Sequence, residues 1–412
     1  MNRLESKKTS NEIKGRMLAN ALSGLKVIDF TQVMAGPTCT LCMADLGADV
    51  VKVEAPTGDL SRALSPWVHG EGIPFLALNR NKRSIVLDLK QPTHRQAALQ
   101  LVAQADVLVE SFRPGVMERL GLDYATVAAA NPRLIYCSVS AYGQLGAAKD
   151  LPGVDGVLQA VSGLMSVTGA PDGEPCKVPV PVVDLVTGSF ATIAILAALA
   201  DRQRTGLGQH VEASMFASAI ALQHVSFASY FADGHVPGPQ GNAAPYSTPN
   251  EALRCADGWI MVAAYHPARW RALCAAIGAP ELASDSRFAE NKSRLQHRET
   301  LLRLLEARML AHPRAFWLEQ FAAVDIICGP INNYAEVAQS APFVEAALTE
   351  TLLHPVAGAV TMPRSVIGAV GERPQARRAA PTLGQHTREV LVELGMAPAN
   401  IEAVITASFP PN

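Results

Sequence analysis

An excess of charge of either sign is the first thing this sequence lacks. Lys plus Arg (35) nearly balances Asp plus Glu (37), a formal −2 over 412 residues, so no overall field exists to hold a nucleic-acid backbone or an anionic membrane. Any phosphate site must be local. Cysteine is sparse, seven residues without a framework spacing, which fits reduced thiols in a cytoplasmic protein and not a disulfide scaffold. Long apolar runs are missing too: the longest, Phe190 to Ala200, has 11 residues, short of the ~18 to 20 that cross a bilayer, and reads as a buried helix. No export signal is evident. The first 20 residues mix Arg3, Lys7, Lys8, Lys14 and Arg16 with Glu5 and Glu12, too acidic for a transit peptide, and are expected to form a flexible extension. Charged residues are only 17% against 49% hydrophobic, which excludes disorder as the main theme.

Familiar motifs are absent as well. The turn Thr31-Gln-Val-Met-Ala-Gly-Pro37 lacks the three-glycine spacing of a dinucleotide site, and there is no GxxxxGK[ST], no HExxH and no GxSxG. Dehydrogenase, P-loop, metallohydrolase and serine-hydrolase readings therefore lose their support. Cys39-x-x-Cys42 has no second Cys/His pair to complete a zinc site, so no metal is expected.

What is present is an alternation of two hydrophobic periods. Short apolar strands are expected at Leu25–Phe30, Asp49–Glu54, Ser84–Leu89, Asp106–Glu110 and Leu134–Ser140. Helices are expected at Pro37–Leu46, His94–Gln104 and in pieces over Gly115–Ala130. Strands separated by helices predict an α/β fold, a doubly wound, mainly parallel sheet whose ligands sit at the carboxyl ends of the strands. A long apolar helix follows, ending at Arg202, Arg204 and Gly206. The Gly/Pro/Asn/Ser-dense stretch Gly234–Pro249 marks a linker to a smaller α+β domain. The expected division is an extension over 1–20, a large domain from 21–224 and 341–412, and a small domain over 225–340.

Asp184 stands out, in an apolar surround that leads directly into the long helix. A carboxylate there either caps the helix through its free N–H groups or attacks an activated acyl group. Asn79-Arg-Asn-Lys-Arg83, Lys90, Arg113 and Arg119 supply positive charge near predicted strand ends, either a phosphate-binding edge or a solvated rim. Met215 and Phe216 line a pocket or fill the core.

Several dispersed segments narrow these alternatives: Gly24-Leu-Lys-Val-Ile-Asp-Phe30, Val33-Met-Ala-Gly-Pro37, Ala44-Asp-Leu-Gly-Ala-Asp-Val-Val-Lys-Val-Glu54, Asn79-Arg-Asn-Lys-Arg-Ser84 and Leu87-Asp-Leu-Lys90. Further on come Phe112-Arg-Pro-Gly115, Arg119-Leu-Gly121, Asn131-Pro-Arg-Leu-Ile135, Thr205-Gly-Leu-Gly208 and Pro381-Thr-Leu-Gly-Gln-His386. Together, in this order, they resemble the class III coenzyme A transferases, the family that includes formyl-CoA:oxalate and crotonobetainyl-CoA transferases. The resemblance implies a Rossmann-like large domain, an interlocked homodimer, acyl-CoA and a small carboxylate as substrates, no tightly bound cofactor, and Asp184 as nucleophile. It places CoA contacts at Val33, Ala35, Leu87, Lys90, Phe112, Arg119 and Met215. Two positions depart from the pattern, Ala55 and Pro152, where basic residues can serve elsewhere in the family, so Arg80, Arg83 or the C-terminal arginines are expected to help hold phosphate; the many arginines late in the chain, including Arg364, Arg377 and Arg378, are consistent with the succinyl-CoA or acetyl-CoA donor and small dicarboxylate that the resemblance implies. Gly241-Asn-Ala-Ala-Pro-Tyr-Ser247 replaces the glycine run of formyl-CoA transferase.

A 2-methylacyl-CoA racemase is the alternative within the same fold. Its Gly-His-Asp motif here reads Gly153-Val-Asp155, and valine cannot move a proton, so the two-base mechanism lacks a base. A non-catalytic acyl-CoA-binding protein is the remote alternative; loss of the nucleophile would mark it, and Asp184 is present.

Overall fold

The computed structural model describes residues 18–408; apart from a short turn at Leu18–Asn20, the expected N-terminal extension lies outside them. Strand β1 (Lys26–Phe30), helix α1 (Ala35–Asp45), β2 (Asp49–Glu54), β3 (Arg83–Val86), α2 (Pro92–Ala103), β4 (Val107–Glu110), α3 (Tyr124–Ala130), β5 (Ile135–Ser140), α4 (Asp155–Val161), α5 (Val182–Thr205), β6 (His210–Ser214), α6 (Met215–Leu222) and α7 (His224–Asp233) follow one another along the chain. The six strands form one parallel sheet in the order β3-β2-β1-β4-β5-β6. Its order reverses between β1 and β4, the switch point where open parallel sheets leave a crevice.

Both faces of the sheet are covered, which explains the near-continuous apolar strands. Ile28, Phe30, Val51, Val53, Ile85 and Leu108 pack against α2 and α3 on one face. Val27, Val50, Val107, Val109, Ile135 and Cys137 pack against α1 and α5 on the other. Where α1 meets α5 the backbones nearly touch: a Cβ on Gly188 would lie 2.6 Å from the Ala35 carbonyl oxygen. That oxygen cannot swing aside as a side chain would. Gly188→Ala is therefore expected to destabilise the protein by about 1–3 kcal/mol, measured by urea denaturation; a stability within experimental error of the parent would contradict this packing.

The expected buried helix is only half buried. Helix α5 is 24 residues long, and an 18-residue stretch within it has a mean hydropathy of 2.0, long and apolar enough to cross a membrane by those criteria alone. One face fills the core through Ala191, Ile195 and Ala198, while Phe190 and Ile193 are exposed. Gly206 closes the helix at φ 77°, its N–H donating to the Arg202 carbonyl, as the basic last turn and glycine predict.

The described residues divide into two compact units. One holds the sheet and comprises the chain up to Ser162, Val178–Ala232 and the chain from Ala346 onward; the other comprises Gly163–Lys177 and Asp233–Glu345. The second contains an antiparallel sheet of β7 (Asn250–Cys255), β8 (Gly258–Ala263) and a later β9 (Ile327–Pro330). Helices α8 (Pro267–Ala276), α9 (Arg298–Met309) and α10 (Arg314–Ala322) come between β8 and β9. Leu253, Ile260, Trp270, Leu301 and Phe321 form its core. Gly163–Lys177 joins this unit through the Gly241 N–H, which donates to the Gly169 carbonyl at 2.8 Å, a long-range pairing with no periodic signal.

After the second unit, hairpin β10 (Thr349–His354) and β11 (Gly358–Pro363) leads to α11 (Thr387–Glu393) and α12 (Pro398–Ser408). This late segment seals the free edge of β3. The His386 N–H donates to the Ser84 carbonyl (2.9 Å), the Val86 N–H to the Thr387 hydroxyl (3.2 Å), and the Ser408 hydroxyl to the Val86 carbonyl (3.0 Å).

Candidate active site

Loops after β1, β4 and β5, with the first turns of α5 and α6, enclose a cleft of about 490 Å³ at the switch point. Val33, Ala35, Phe112, Asp155, Asp184 and Met215 all line it. The first and second of these loops are tied together by the Gln32 N–H, which donates to the Ser111 hydroxyl at 3.1 Å. Arg113 and Lys149 bring positive charge to the rim, and no histidine is among the lining residues.

Asp184 lies in the first turn of α5 without capping it. The cap is Asp155: its Oδ1 accepts from the Val183 N–H at 2.8 Å and the Asp184 N–H at 3.2 Å, while its Oδ2 accepts from the Gln159 side-chain amide at 2.5 Å. Gln159, fully buried, is fixed by a two-way bond to Val178. Asp155 thus spends the free helix donors, and the Asp184 carboxylate has no hydrogen bond among the described residues. Burial, then the nearby Asp155 charge, pushes Asp184 up from its ordinary 3.8 to about 7. The sequence suggested an anion held by helix N–H groups; the structure instead gives a carboxylate whose charge is disfavoured, because another acid took the donors. The i, i+4 spacing of Asp155 and Gln159 on one helix is the signal that was available for this pair.

The remaining sequence-predicted contacts lie outside this cleft. Lys90 and Arg119 are exposed, after β3 and β4 respectively, and the Leu87 side chain is buried in the core. Gly153 is required where it stands, since a Cβ there would meet Leu158 and Ala141 within 2.7 Å. Val154 beside it is exposed and lines the cleft. Beneath Phe112, burial pushes Glu110 up to about 7, although it accepts the Phe112 N–H.

Arg80, Arg83, Arg364 and Arg377 are instead engaged within the fold. Arg80 binds Asp45 through two nitrogens, and Arg83 binds Asp49, Glu389 and Glu393. Arg377 donates to the carbonyls of Ala44, Gly47 and Ala48, and Arg364 to that of Thr349. Arg83 opens its strand, so this group sits at the amino edge of the sheet, opposite the cleft. The Cys39 thiol is buried in α1 and pushed up to about 12 by that burial, which leaves it a core residue.

The sequence signature of CoA-transferase family III matches residues 22–387. The chain belongs to that family. A family III transferase moves CoA between an acyl-CoA and a carboxylic acid, and this chain is such an enzyme. It is 39% identical over 365 residues to an acetyl-CoA:oxalate CoA-transferase of Acetobacter aceti, covering 88% of this chain and 92% of that one. It is 35% identical over 375 residues to a succinyl-CoA:glutarate CoA-transferase of Mus musculus, covering 90% and 86%. A crystal structure of a CAIB/BAIF family protein from Brucella suis superposes with a TM-score of 0.82 at 35% identity, covering 91% of this transferase and all of that chain.

Proposed function

We propose that this transferase passes CoA from a succinyl-CoA or acetyl-CoA type donor to a small dicarboxylic acid, with Asp184 as the covalent relay. The observation that carries the reading is the Asp184 carboxylate itself, unbonded in a cleft at the switch point and desolvated enough to be pushed up to about 7. A carboxylate stripped of solvent is a better nucleophile than one in water.

In this reaction a carboxylate oxygen of Asp184 attacks the thioester carbonyl, the C–S bond breaks, and CoA thiolate leaves a mixed anhydride. The thiolate then attacks the aspartyl carbonyl, releasing the donor acid and forming an aspartyl-CoA thioester. The acceptor carboxylate expels the thiolate to make a second anhydride, and a final thiolate attack on the acceptor carbonyl yields the new acyl-CoA and free Asp184. The backbone N–H groups of Met34, Ala35 and Gly36 have no acceptor among the described residues and border the cleft; they are suited to the oxyanion of each tetrahedral intermediate. Val33, Ala35, Phe112 and Met215 would hold the thioester arm. Lys90 and Arg119, exposed beyond the ends of β3 and β4, would hold its phosphates, alongside the Leu87 main chain. Arg113 and Lys149 fit the second carboxylate of a dicarboxylic acid. The similar proteins named above act on oxalate and glutarate.

The working unit in this reading is an interlocked homodimer, supported by apolar side chains left exposed on α4, α5 and α7: Val157, Val161, Phe190, Ile193, Val225 and Phe231. The seven free cysteines fit a reducing, cytoplasmic setting.

The test is mass spectrometry after incubation with acetyl-CoA or succinyl-CoA and hydroxylamine. A hydroxamate on Asp184, absent from Asp184→Ala, is the expected result. No adduct with any donor, together with solvent deuterium at the α-carbon of a 2-methylacyl-CoA, would replace transfer with racemisation.

A further inference from the structure

A buried ionic cluster lies under the first loop of the cleft, outside the groups that the transfer steps use. Lys52 Nζ is 2.8 Å from Asp59 Oδ2, with both side chains fully buried. The same ammonium donates to the Thr31 carbonyl at 2.8 Å, and Asp59 Oδ1 accepts the Val33 N–H at 3.1 Å. The two members of one ion pair therefore grip the turn on either side of Gln32. Asp59 is itself fixed by the Ser61 N–H and hydroxyl, at 2.8 and 2.7 Å. Beside it, Lys82 pairs with Asp29 at 3.1 Å, and Asp29 accepts from the Thr31 N–H and hydroxyl.

What the grip restrains is unusual. Val33 has φ 65°, the left-handed region, which a β-branched residue occupies only when its surroundings impose it. The turn is also tight: a Cβ on Gly36 would stand 2.3 Å from the Thr31 Cβ. Burial disfavours both charges of the pair. Even so, Asp29 and Asp59 hold Lys52 above its ordinary value and Lys52 holds Asp59 below its own, so the pair persists as ions.

We propose that Lys52 and Asp59 are positioning residues for acyl transfer: by clamping Thr31 and Val33 they impose the left-handed Val33 and so fix the free N–H groups of Met34, Ala35 and Gly36 at the cleft. The inference rests on the reading of Asp184 as the acylated residue. Neither clamp residue touches the substrate; they act through backbone placement, where a displacement near 1 Å costs rate and not affinity.

The experiment uses the full chain and follows single-turnover acylation of Asp184, acyl-CoA affinity by calorimetry, and thermal melting. Asp59→Asn keeps an oxygen for Val33 but removes the charge that holds Lys52; acylation is expected to fall about 10- to 100-fold while the acyl-CoA Kd changes less than about threefold. Glycine reaches the left-handed region unaided, so in a Val33→Gly background the same substitution is expected to cost no more than about threefold in rate and fewer degrees of melting. Equal losses in both backgrounds, in rate and in melting alike, would reduce the pair to a structural element. Should Asp59→Asn fail to fold, the apolar pair Lys52→Met/Asp59→Val is the substitute, since a buried ion pair replaced as a unit is tolerated. Acylation at the parent rate by that folded variant would also overturn the proposal. If the parent shows no Asp184 adduct at all, the reading of the nucleophile fails, and the coupling of positions 33 and 59 in melting still decides whether the clamp exists.

Discussion

Under the proposed relay, Asp184→Asn is expected to lose CoA transfer by about ten-thousand-fold or more, because a neutral amide cannot replace the carboxylate nucleophile. The same variant is expected to be more stable than the parent, and the sign follows from the native environment. The folded protein pushes Asp184 from 3.8 up to about 7, so it favours the protonated form more than the unfolded chain does. That contribution is complete below the unfolded value and is lost as pH rises through about 7. The parent therefore weakens between those limits, whereas the amide does not. The full shift corresponds to at most about 4 kcal/mol, and partial solvent access reduces it to roughly 2 kcal/mol. Chemical denaturation at pH 5 and pH 8 checks this: the advantage of Asp184→Asn should widen at pH 8, and a pH-independent gap would place Asp184 in ordinary solvent. A dead enzyme that melts higher than its parent also separates lost chemistry from lost folding.

Asp155→Ala should be the next most damaging change. Asp155 caps α5 through the Val183 and Asp184 N–H groups and anchors Gln159. Truncation removes the cap, at about 1–2 kcal/mol, and loosens the turn that carries Asp184, so kcat is expected to fall on the order of 100-fold. Asp155→Asn separates geometry from charge. It retains an oxygen for the cap but not the negative charge, the lesser of the two causes that raise Asp184. In the parent, acylation should rise with pH through about 7; in Asp155→Asn that midpoint should move down toward the ordinary carboxylate range. Stopped acylation reactions across pH 5–9 give the comparison, and an unmoved midpoint would mean that Asp155 acts only as a cap.

Those two acids differ in how much of their local setting the sequence carries. Asp184 is legible because an isolated acid interrupts an apolar stretch at the start of a long helix. Asp155 stands out only through the Gly153-Val-Asp155 motif, as a residue that orients substrate, supports Asp184 or merely occupies a turn; that it caps α5 is not legible, because it lies 29 residues upstream and joins Asp184 only when α4 packs against α5. The parallel sheet is legible in β1 to β5, whose two covered faces force apolar runs. Strand β6, His-Val-Glu-Ala-Ser, is missed, because an edge strand with both His210 and Glu212 exposed carries no such run. The basic stretch Asn79–Arg83 misleads for a related reason: its composition matches a phosphate site, but the acids that consume it, Asp45, Asp49, Glu389 and Glu393, come from elements that only the fold brings together. The left-handed backbone at Val33 carries no sequence signal, since nothing in a valine announces it.

The closure of β3 by Gly384–Ser408 bears on how this chain is made. A ribosome delivers five of the six strands of the sheet within the first half of synthesis, yet the outward-facing backbone groups of β3, the Ser84 carbonyl and the Val86 N–H and carbonyl, find partners among the last residues to emerge. Until then the nascent sheet presents an open edge, the kind that recruits other strands. The unit containing Asp233–Glu345, nearly contiguous in the chain, has no such wait. Translation should therefore complete the second unit while the first is still held open, and shortening the chain before Gly384 should leave a sheet that aggregates even though every residue of the cleft is present.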